Sequence, residues 1–271
     1  MNISIGISTL NDGLYRVKDN IKSIPSEQIV IIVHQITNDL SYKDVDLNRE
    51  NVILVTLYEK GLSKSRNTLL MKAFELGVDY LIISDDDVSY SLKGLIKLKE
   101  EIKKYNNFPH FQMQSSTLDG SLRKKYPITR KKLNFIDAFS ISSIEMCLNV
   151  KRIISKNIKF DEKFGLGALY PAGEEPIFVS DMLKAGECML FVPITVTIHP
   201  IESSGLSIYN DRWALQSRGA VFVRCLGLLR GLVFSIIFWG KKFCLSNNTK
   251  TQRRISKLLA LYLIVKGCMS V

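Results

Sequence analysis

An alternation of short apolar runs with helix-spaced apolar residues constrains the fold of this chain most strongly. Strand-like runs with branched side chains occur at Asn2–Ser8, Gln28–His34, Asn51–Thr56 and Tyr80–Ile83. Helical spacing separates them, as in the stripe of Leu69, Leu70 and Ala73 that ends before Gly77. Strands that alternate with helices predict an α/β fold with a Rossmann-like, mostly parallel sheet flanked by helices.

Three consecutive aspartates, Asp85, Asp86 and Asp87, follow the fourth predicted strand. In open α/β sheets, ligands bind beyond the carboxyl ends of the strands, so these carboxylates are candidates for a binding site. Their mutual repulsion must be compensated. A hard cation such as Mg²⁺ or Mn²⁺ takes oxygen ligands and commonly shares its site with diphosphate oxygens. The alternative is a solvated turn in which one aspartate caps the following helix.

A second acidic candidate lies in the run Gly173–Pro176, which opens a predicted helix. Pro176 suits the first helical turn, and the residue before a proline favours an extended conformation. Glu175 is a poor helix cap, so the sequence predicts a carboxylate that points out of the junction. The positive end of the helix would keep it ionised, as a general base requires. The alternative is a surface glutamate favoured by the same helix end.

Two further features have both a functional and a structural interpretation. His199 ends the predicted strand Met189–Ile198, so it is either a ligand at a strand end or a structural histidine. The segment Ser121–Leu133 is rich in lysine and arginine. It could hold phosphate groups, but a solvated loop is the interpretation we favour.

The net charge of the chain lies in its C-terminal segment. All 26 acidic residues lie at or before Asp211, whereas 11 of the 37 basic residues follow it, which leaves the net charge of +11 in residues 212–271. Ala220–Trp239 and Ile255–Val265 are apolar, but Gly231–Gly240, the longest uncharged run, is shorter than the roughly 20 residues of a membrane span.

Basic residues beside apolar helix faces predict a basic amphipathic helical tail over residues 212–271 that lies on an anionic membrane surface. The alternative is that these helices pack on the rest of the chain or on a second subunit. Nucleic acid is not an expected partner, because aromatic and basic residues are not interleaved as a stacking groove requires. The five scattered cysteines and the strand-like N-terminus, without the features of a signal peptide, favour a cytoplasmic protein.

Five motifs in order resemble a family 2 glycosyltransferase of the GT-A fold, of the type that assembles bacterial surface polysaccharides. The resemblance covers about residues 2–205 and is carried by Gly61–Asn67, Tyr80–Asp87, Phe160–Gly167, Gly173–Glu175 and His199–Pro200. It implies an inverting, metal-dependent, hexosyltransferase-like enzyme that uses Mn²⁺ or Mg²⁺ and a nucleotide-sugar donor such as a UDP-sugar. The basic tail fits an acceptor linked to a lipid, and hence a peripheral position on the inner face of the cell membrane.

The resemblance also implies roles for individual residues. The metal would be held by Asp85, Asp87 and His199. The donor would be bound by Ser8, Thr9, Asn11, Asp39, Arg66, Asn67, Asp85 and Asp86. Catalysis would fall to Glu174 and Glu175, of which Glu175 stands at the position of the general base. His34 and Gln35 stand where relatives carry a base-reading aspartate, so the resemblance leaves the nucleotide open.

These expectations divide the chain into three parts. Residues 1–105 would bind the nucleotide-sugar, residues 106–211 would bind the acceptor and supply the base, and residues 212–271 would form the tail. Two other functions remain open. A sugar-phosphate nucleotidyltransferase would also use an aspartate cluster, but Asn11–Gly13 is a poor phosphate loop. A non-catalytic membrane adaptor would explain the tail without explaining the acidic motifs.

Overall fold

The computed structural model describes residues 1–47, 49–106, 109–200, 211–244 and 256–271. These residues form nine strands and eight α-helices. The strands are β1 (Ile3–Leu10), β2 (Val30–Gln35), β3 (Val52–Leu57), β4 (Tyr80–Asp85), β5 (Ser89–Tyr90), β6 (His110–Ser116), β7 (Lys131–Lys132), β8 (Met146–Asn149) and β9 (Met189–Ile198). The helices are α1 (Gly13–Asn20), α2 (Leu62–Glu75), α3 (Leu92–Ile102), α4 (Val150–Ser155), α5 (Glu174–Lys184), α6 (Arg212–Leu226), α7 (Leu228–Trp239) and α8 (Lys257–Cys268).

All nine strands belong to one sheet, in the order β3-β2-β1-β4-β8-β6-β9-β5, with β7 paired to β9. The first four strands are parallel, so their carboxyl ends meet at one edge. β8 runs antiparallel between β4 and β6, whereas β6 and β9 are parallel. The predicted α/β class is therefore confirmed, and the parallel arrangement holds for the N-terminal half and the β6–β9 pair.

Both faces of the sheet are covered by helices, as the continuous apolar runs predict. Successive residues of a strand point to opposite faces, and in β2 Val30 and Ile32 join one buried cluster while Ile31 and Val33 join another. Helices α1 and α3 cover the first face, and α2, α4 and α5 cover the second. This sandwich holds the carboxyl ends of β1, β2 and β4 rigidly at a common edge.

The C-terminal segment forms helices that pack on the sheet domain. The apolar stretch Ala220–Trp239 is not one helix, because Gly227 adopts a φ of 79° between α6 and α7. Arg224 of α6 donates hydrogen bonds to Asp181 of α5 at 2.7 and 3.1 Å and to Asp161 at 2.8 Å. None of the helices in the described ranges combines the length and apolar character that a membrane crossing requires.

Close helix contacts fix the position of α6. A Cβ atom on Gly219 would lie 1.8 Å from the carbonyl oxygen of Ile264, and one on Gly267 would lie 1.8 Å from that of Gln216. These two glycines therefore permit the backbones of α6 and α8 to approach one another closely. Residues 245–255, which belong to the predicted tail, lie outside the described residues, as do residues 201–210 of the predicted second part.

Candidate active site

Two adjoining cavities open near the carboxyl ends of β1, β2 and β4. The first, named here the aspartate cavity, has a volume of about 370 Å³ and is lined by six predicted site residues, Ser8, Thr9, Asp85, Asp86, Asp87 and His199. The second, named the glutamate cavity, has a volume of about 370 Å³ and is lined by Arg66, Glu174 and Glu175. Asp85 and His199 line both cavities, so they mark the boundary between the two.

Asp86 is held at the start of α1 by side chains from two elements. Its carboxylate accepts hydrogen bonds from the Thr9 hydroxyl at 2.8 Å and from the Arg16 guanidinium at 2.9 and 3.1 Å. A Cβ atom on Gly13 would lie 2.0 Å from Asp86 Oδ2, so only glycine leaves room for this approach. The positive end of α1 also favours the charge. Asp86 therefore lies in the cavity wall with its charge already compensated.

Asp87 and His199 form the pair that best fits a divalent cation. His199 Nε2 lies 3.3 Å from Asp87 Oδ1, and that buried oxygen accepts no hydrogen bond. Burial raises the pKa of Asp87, and the His199 imidazole opposes this shift. A carboxylate oxygen that accepts no hydrogen bond suits Mn²⁺ or Mg²⁺, which prefer oxygen ligands, whereas the adjacent imidazole nitrogen is a ligand more typical of softer metals. Within the described residues, however, no three acidic, His or Cys side chains are clustered as a preformed metal site.

Asp85 reaches the same boundary but its oxygens already have partners. Its Oδ1 accepts a hydrogen bond from Arg66 at 3.1 Å, and its Oδ2 accepts one from the Ser143 hydroxyl at 3.3 Å. A carboxylate has about four lone-pair positions, so these two bonds leave about one position on each oxygen for a further ligand. Asp85 therefore fits a metal less directly than Asp87 does.

The buried guanidinium of Arg66 connects the two cavities. Only 1% of its side chain is exposed, and it lies 3.1 Å from Asp85, 2.8 Å from Glu174 and 3.6 Å from Glu175. These carboxylates come from the end of β4 and the start of α5, which are far apart in sequence. The attraction of three carboxylates outweighs burial and raises the pKa of Arg66, so it stays charged. One cation thus holds two acidic motifs together.

The start of α5 lies two residues earlier than the sequence predicted, because Glu175 was expected near the cap position. Gly173, with a φ of 101°, is the residue before the helix, and Glu174 and Glu175 already lie in the first turn. A Cβ atom on Gly173 would lie 2.1 Å from Val221 Cγ2, because α6 packs directly against this turn. Glu175 therefore adopts a helical rather than an extended conformation despite the proline that follows it.

Glu175 has the most unusual acidity of the predicted site residues. Burial and the neighbouring Glu174 raise its pKa to about 7, although Arg66 counteracts them. The sequence analysis expected the helix end to keep this carboxylate ionised, but burial raises its pKa in the opposite direction. A carboxylate with a pKa near neutrality can both accept and release a proton at physiological pH.

Three residues predicted for donor binding lie outside both cavities. The Asn67 side chain forms hydrogen bonds of 2.8 and 3.0 Å with the backbone of Phe160, so it fixes the loop that follows α4. The Asn11 side chain bonds Thr37 at 2.9 and 3.1 Å and thereby joins the loops after β1 and β2. Asp39 is exposed in the loop after β2. The structure does not bring these three side chains to the cavities.

Several cavity residues were not among the site residues predicted from the sequence. Arg16, Gln35 and Lys60 line the aspartate cavity, and Arg123 and Arg218 line the glutamate cavity. Gln35 ends β2, so the rule that ligands bind at strand ends could have found it. The arginines carry no such local signal, because helices and a loop from distant parts of the chain bring them together.

Comparison with solved structures shows what this fold is similar to. A structure described as a mycobacterial protein is 12% identical, with a TM-score of 0.53 over 83% of this chain and 74% of that chain. A second, described as a candidate nucleotide-diphospho-sugar transferase from Desulfovibrio desulfuricans G20, is 14% identical, with a TM-score of 0.43 over 98% and 99% of the two chains. No known family and no curated protein matches the sequence. The chain therefore shares the α/β fold of the mycobacterial protein over most of its length.

Proposed function

We propose that this protein is a glycosyltransferase that moves a sugar from a nucleotide-diphosphate-sugar to a hydroxyl group of a saccharide acceptor. One observation supports this most strongly: the aspartate and glutamate cavities meet at Asp85 and His199. A donor in the first cavity would present its reacting end at that boundary. An acceptor in the second would meet it there, next to Glu175.

The aspartate cavity suits the donor. It lies beyond the strand ends, where α/β folds bind nucleotides, and its volume falls in the range of small-molecule sites. Asp87 and His199 would hold Mn²⁺ or Mg²⁺, with Asp85 as a further ligand, and Arg16 and Lys60 would add positive charge near the diphosphate. When bound, such a cation stabilises the charge that develops on the leaving diphosphate.

The glutamate cavity suits the acceptor and the proton transfer. Glu175 would accept the proton of the acceptor hydroxyl while the hydroxyl oxygen forms a bond to the anomeric carbon of the donor sugar. The bond from the anomeric carbon to the diphosphate oxygen breaks on the opposite side, so the configuration inverts. Glu174 pairs with Arg66 at 2.8 Å, and we assign it to holding that guanidinium rather than to the reaction itself.

The pKa of Glu175 predicts how the rate depends on pH. Because only the ionised carboxylate accepts a proton, and burial raises its pKa to about 7, kcat for transfer should rise about tenfold per pH unit below neutrality and level off above it. Steady-state rates between pH 5 and 9 at saturating substrates would test this. A rate that is already at its plateau at pH 5 would contradict the role of Glu175.

The proposed function can be tested in two steps, first by identifying the donor and then by measuring sugar transfer to an acceptor. Thermal unfolding with a panel of nucleotide-sugars, with and without Mn²⁺, should identify the donor, since a ligand at 100 times its Kd adds about 2.7 kcal/mol to the free energy of unfolding. Saccharide acceptors are then added and the released nucleoside diphosphate is measured. Pyrophosphate release from a sugar phosphate and a nucleoside triphosphate would instead identify a nucleotidyltransferase. Liposome binding without nucleotide binding would favour an adaptor.

We further propose that the C-terminal helices bind the surface of an anionic membrane, on the cytoplasmic face, where a lipid-linked acceptor for a surface polysaccharide would be presented. On α7, the exposed side chains of Leu229, Val233, Ile236 and Ile237 follow helical spacing and form an apolar stripe. Leu258 and Tyr262 of α8 are also exposed. Lysine and arginine flank these stripes without any acidic residue after Asp211, which complements anionic lipid.

Replacing Leu229, which is 80% exposed, by glutamate should weaken binding to vesicles that contain phosphatidylglycerol. The substitution places a negative charge in the apolar stripe, and we expect at least a several-fold loss in a co-sedimentation assay. Ile128→Glu is the matched control, because Ile128 is 92% exposed on the sheet domain. Equal loss in both variants, or equal binding to neutral vesicles, would argue that the C-terminal helices do not contact the membrane.

A further inference from the structure

Two arginines in the glutamate cavity are not used by the reaction described above. We propose that Arg123 and Arg218 form a subsite for an anionic group, a phosphate or a carboxylate, on the acceptor. This inference rests on the proposed function, since it names the class of acceptor that the same cavity would take. Both arginines line the cavity that contains Glu175, but they come from different parts of the chain.

Arg123 is directed to the cavity by the turn that follows β6. The Asp119 carboxylate accepts hydrogen bonds from the backbone and side chain of Ser121 at 3.0 and 2.7 Å. The backbone N–H of Arg123 donates a hydrogen bond to the carbonyl oxygen of Ser115 at 3.1 Å. Its neighbour Lys124 pairs instead with the buried Glu145 at 2.6 Å. Most of the basic segment is exposed, as the solvated-loop interpretation expects, but Arg123 lines the cavity and Lys124 pairs with a buried glutamate.

Arg218 is positioned by the packing of α6. The next turn of the helix places Val221 against Gly173, immediately before the two glutamates. On the opposite side Gly219 touches the backbone of α8, and further along Arg224 bonds Asp181. A helix fixed by contacts on two sides presents the half-buried Arg218 to the cavity at a defined position.

The charges of the cavity favour an anionic ligand at this end. The Arg66 guanidinium is already engaged by Asp85, Glu174 and Glu175, so it is not available to a ligand. Burial, Glu174 and Arg66 are the largest influences on the pKa of Glu175. The glutamate cavity therefore contains the positive charges of Arg123 and Arg218 in addition to that of Arg66, which is paired with Asp85, Glu174 and Glu175. A guanidinium binds phosphate or carboxylate with two parallel hydrogen bonds, which gives both affinity and orientation.

Three serines line the same cavity, and the hydroxyls of Ser140 and Ser143 donate hydrogen bonds to the Asp137 carbonyl and to Asp85. Ser140, Ser142 and Ser143 line this cavity with Arg123 and Arg218. An acceptor held by its anionic group at the arginines would place a sugar hydroxyl towards Glu175. The subsite therefore orients the acceptor, whereas the proton transfer remains with the glutamate.

Calorimetry with soluble probes tests the subsite without turnover. Glucose 1-phosphate and glucuronic acid should each bind at least about tenfold more tightly than glucose, because hydrogen bonds between a guanidinium and an anion are about twice as strong as those between neutral groups. Arg123→Gln and Arg218→Gln should each remove most of this difference, and Arg→Lys at either position should restore part of it. Lys125→Gln and Arg212→Gln, both exposed in the same two segments, are the matched controls.

Further arms separate the explanations. Tighter binding of polyprenyl phosphate in detergent micelles than of glucose 1-phosphate would identify a lipid as the source of the anion, and the reverse would identify a soluble sugar phosphate. Equal affinity for glucose and glucose 1-phosphate would overturn the proposal, as would loss of UDP affinity in the arginine variants, since the arginines would then serve the donor. If no nucleotide-sugar binds but the anion preference and its dependence on Arg123 persist, the proposed function fails and the subsite stands.

Discussion

Replacement of Glu175 by glutamine is expected to lower kcat for sugar transfer by about 10²–10⁴-fold while the donor still binds with unchanged affinity. Glutamine has the same shape but cannot accept the proton of the acceptor hydroxyl. The Kd of the donor should not change, because Glu175 lines the glutamate cavity and not the aspartate cavity. Single-turnover transfer rates and donor titrations measure the two effects separately. Glu100→Gln, an exposed residue of α3, is the matched control.

The same substitution should have the opposite effect on stability. Because burial raises the pKa of Glu175 to about 7, the native state holds a proton between the ordinary glutamate pKa and neutrality that the unfolded chain has lost. The contribution of Glu175 to the free energy of unfolding therefore falls as pH rises through that window. Glu175→Gln should unfold at a higher temperature than the wild type at pH 8 and at nearly the same temperature at pH 4. A variant that is less stable at pH 8 would contradict this picture.

Replacement of Arg66 by methionine is expected to destabilise the fold by about 3–5 kcal/mol, the cost of leaving buried carboxylates without their cation. Three carboxylates lie within 3.6 Å of this guanidinium, whose side chain is 1% exposed. Methionine fills a similar volume, so the effect would come from charge rather than from a cavity. Chemical denaturation at pH 7.5 measures the loss, and transfer activity should disappear with it.

The pH dependence of the free energy of unfolding shows whether the Arg66 variant is destabilised by lost charge or by lost packing. Without Arg66, the folded-state pKa of Glu175 should rise further, because the guanidinium that counteracts burial is gone, and a carboxyl group with a raised pKa contributes less to stability as pH increases through that value. The deficit relative to the wild type should therefore be smaller at pH 5 than at pH 8. Arg66→Lys keeps the charge and should fall between the two. A deficit that does not change with pH would show that packing of the Arg66 side chain dominates.

Local sequence patterns predicted the strands and the aspartate motif in the first half of the chain. The apolar runs placed every end of the first four strands within two residues of its observed position. For β2 and β4 this follows because a strand covered on both faces is apolar over most of its length. The aspartates at the end of β4 were likewise expected at the binding edge, since parallel strands bring their carboxyl ends together. Strand Met189–Ile198 was predicted with its observed bounds.

Other predicted site residues lie away from the two cavities, because their side chains make local contacts that the motifs do not reveal. Asn67 follows Arg66 in sequence, but adjacent helical residues point in different directions, so one enters the cavity and the other holds Phe160. Asn11 lies beside the cavity residues of β1 but adopts a φ of 48° and binds Thr37. A resemblance between motifs predicts where a residue lies along the chain, but it does not predict the direction in which the side chain points.

The sequence by itself determined the α/β class, the position of the acidic motifs and the excess of positive charge in the C-terminal segment, because these depend on residue type and short-range periodicity. Only the tertiary structure decided that Asp85, Glu174 and Glu175 share Arg66, that Arg123 and Arg218 line one cavity, and that Glu175 has a pKa of about 7. Those properties arise from burial and from contacts between residues up to about a hundred positions apart. No local pattern encodes such contacts, since they exist only once the helices have packed on the sheet.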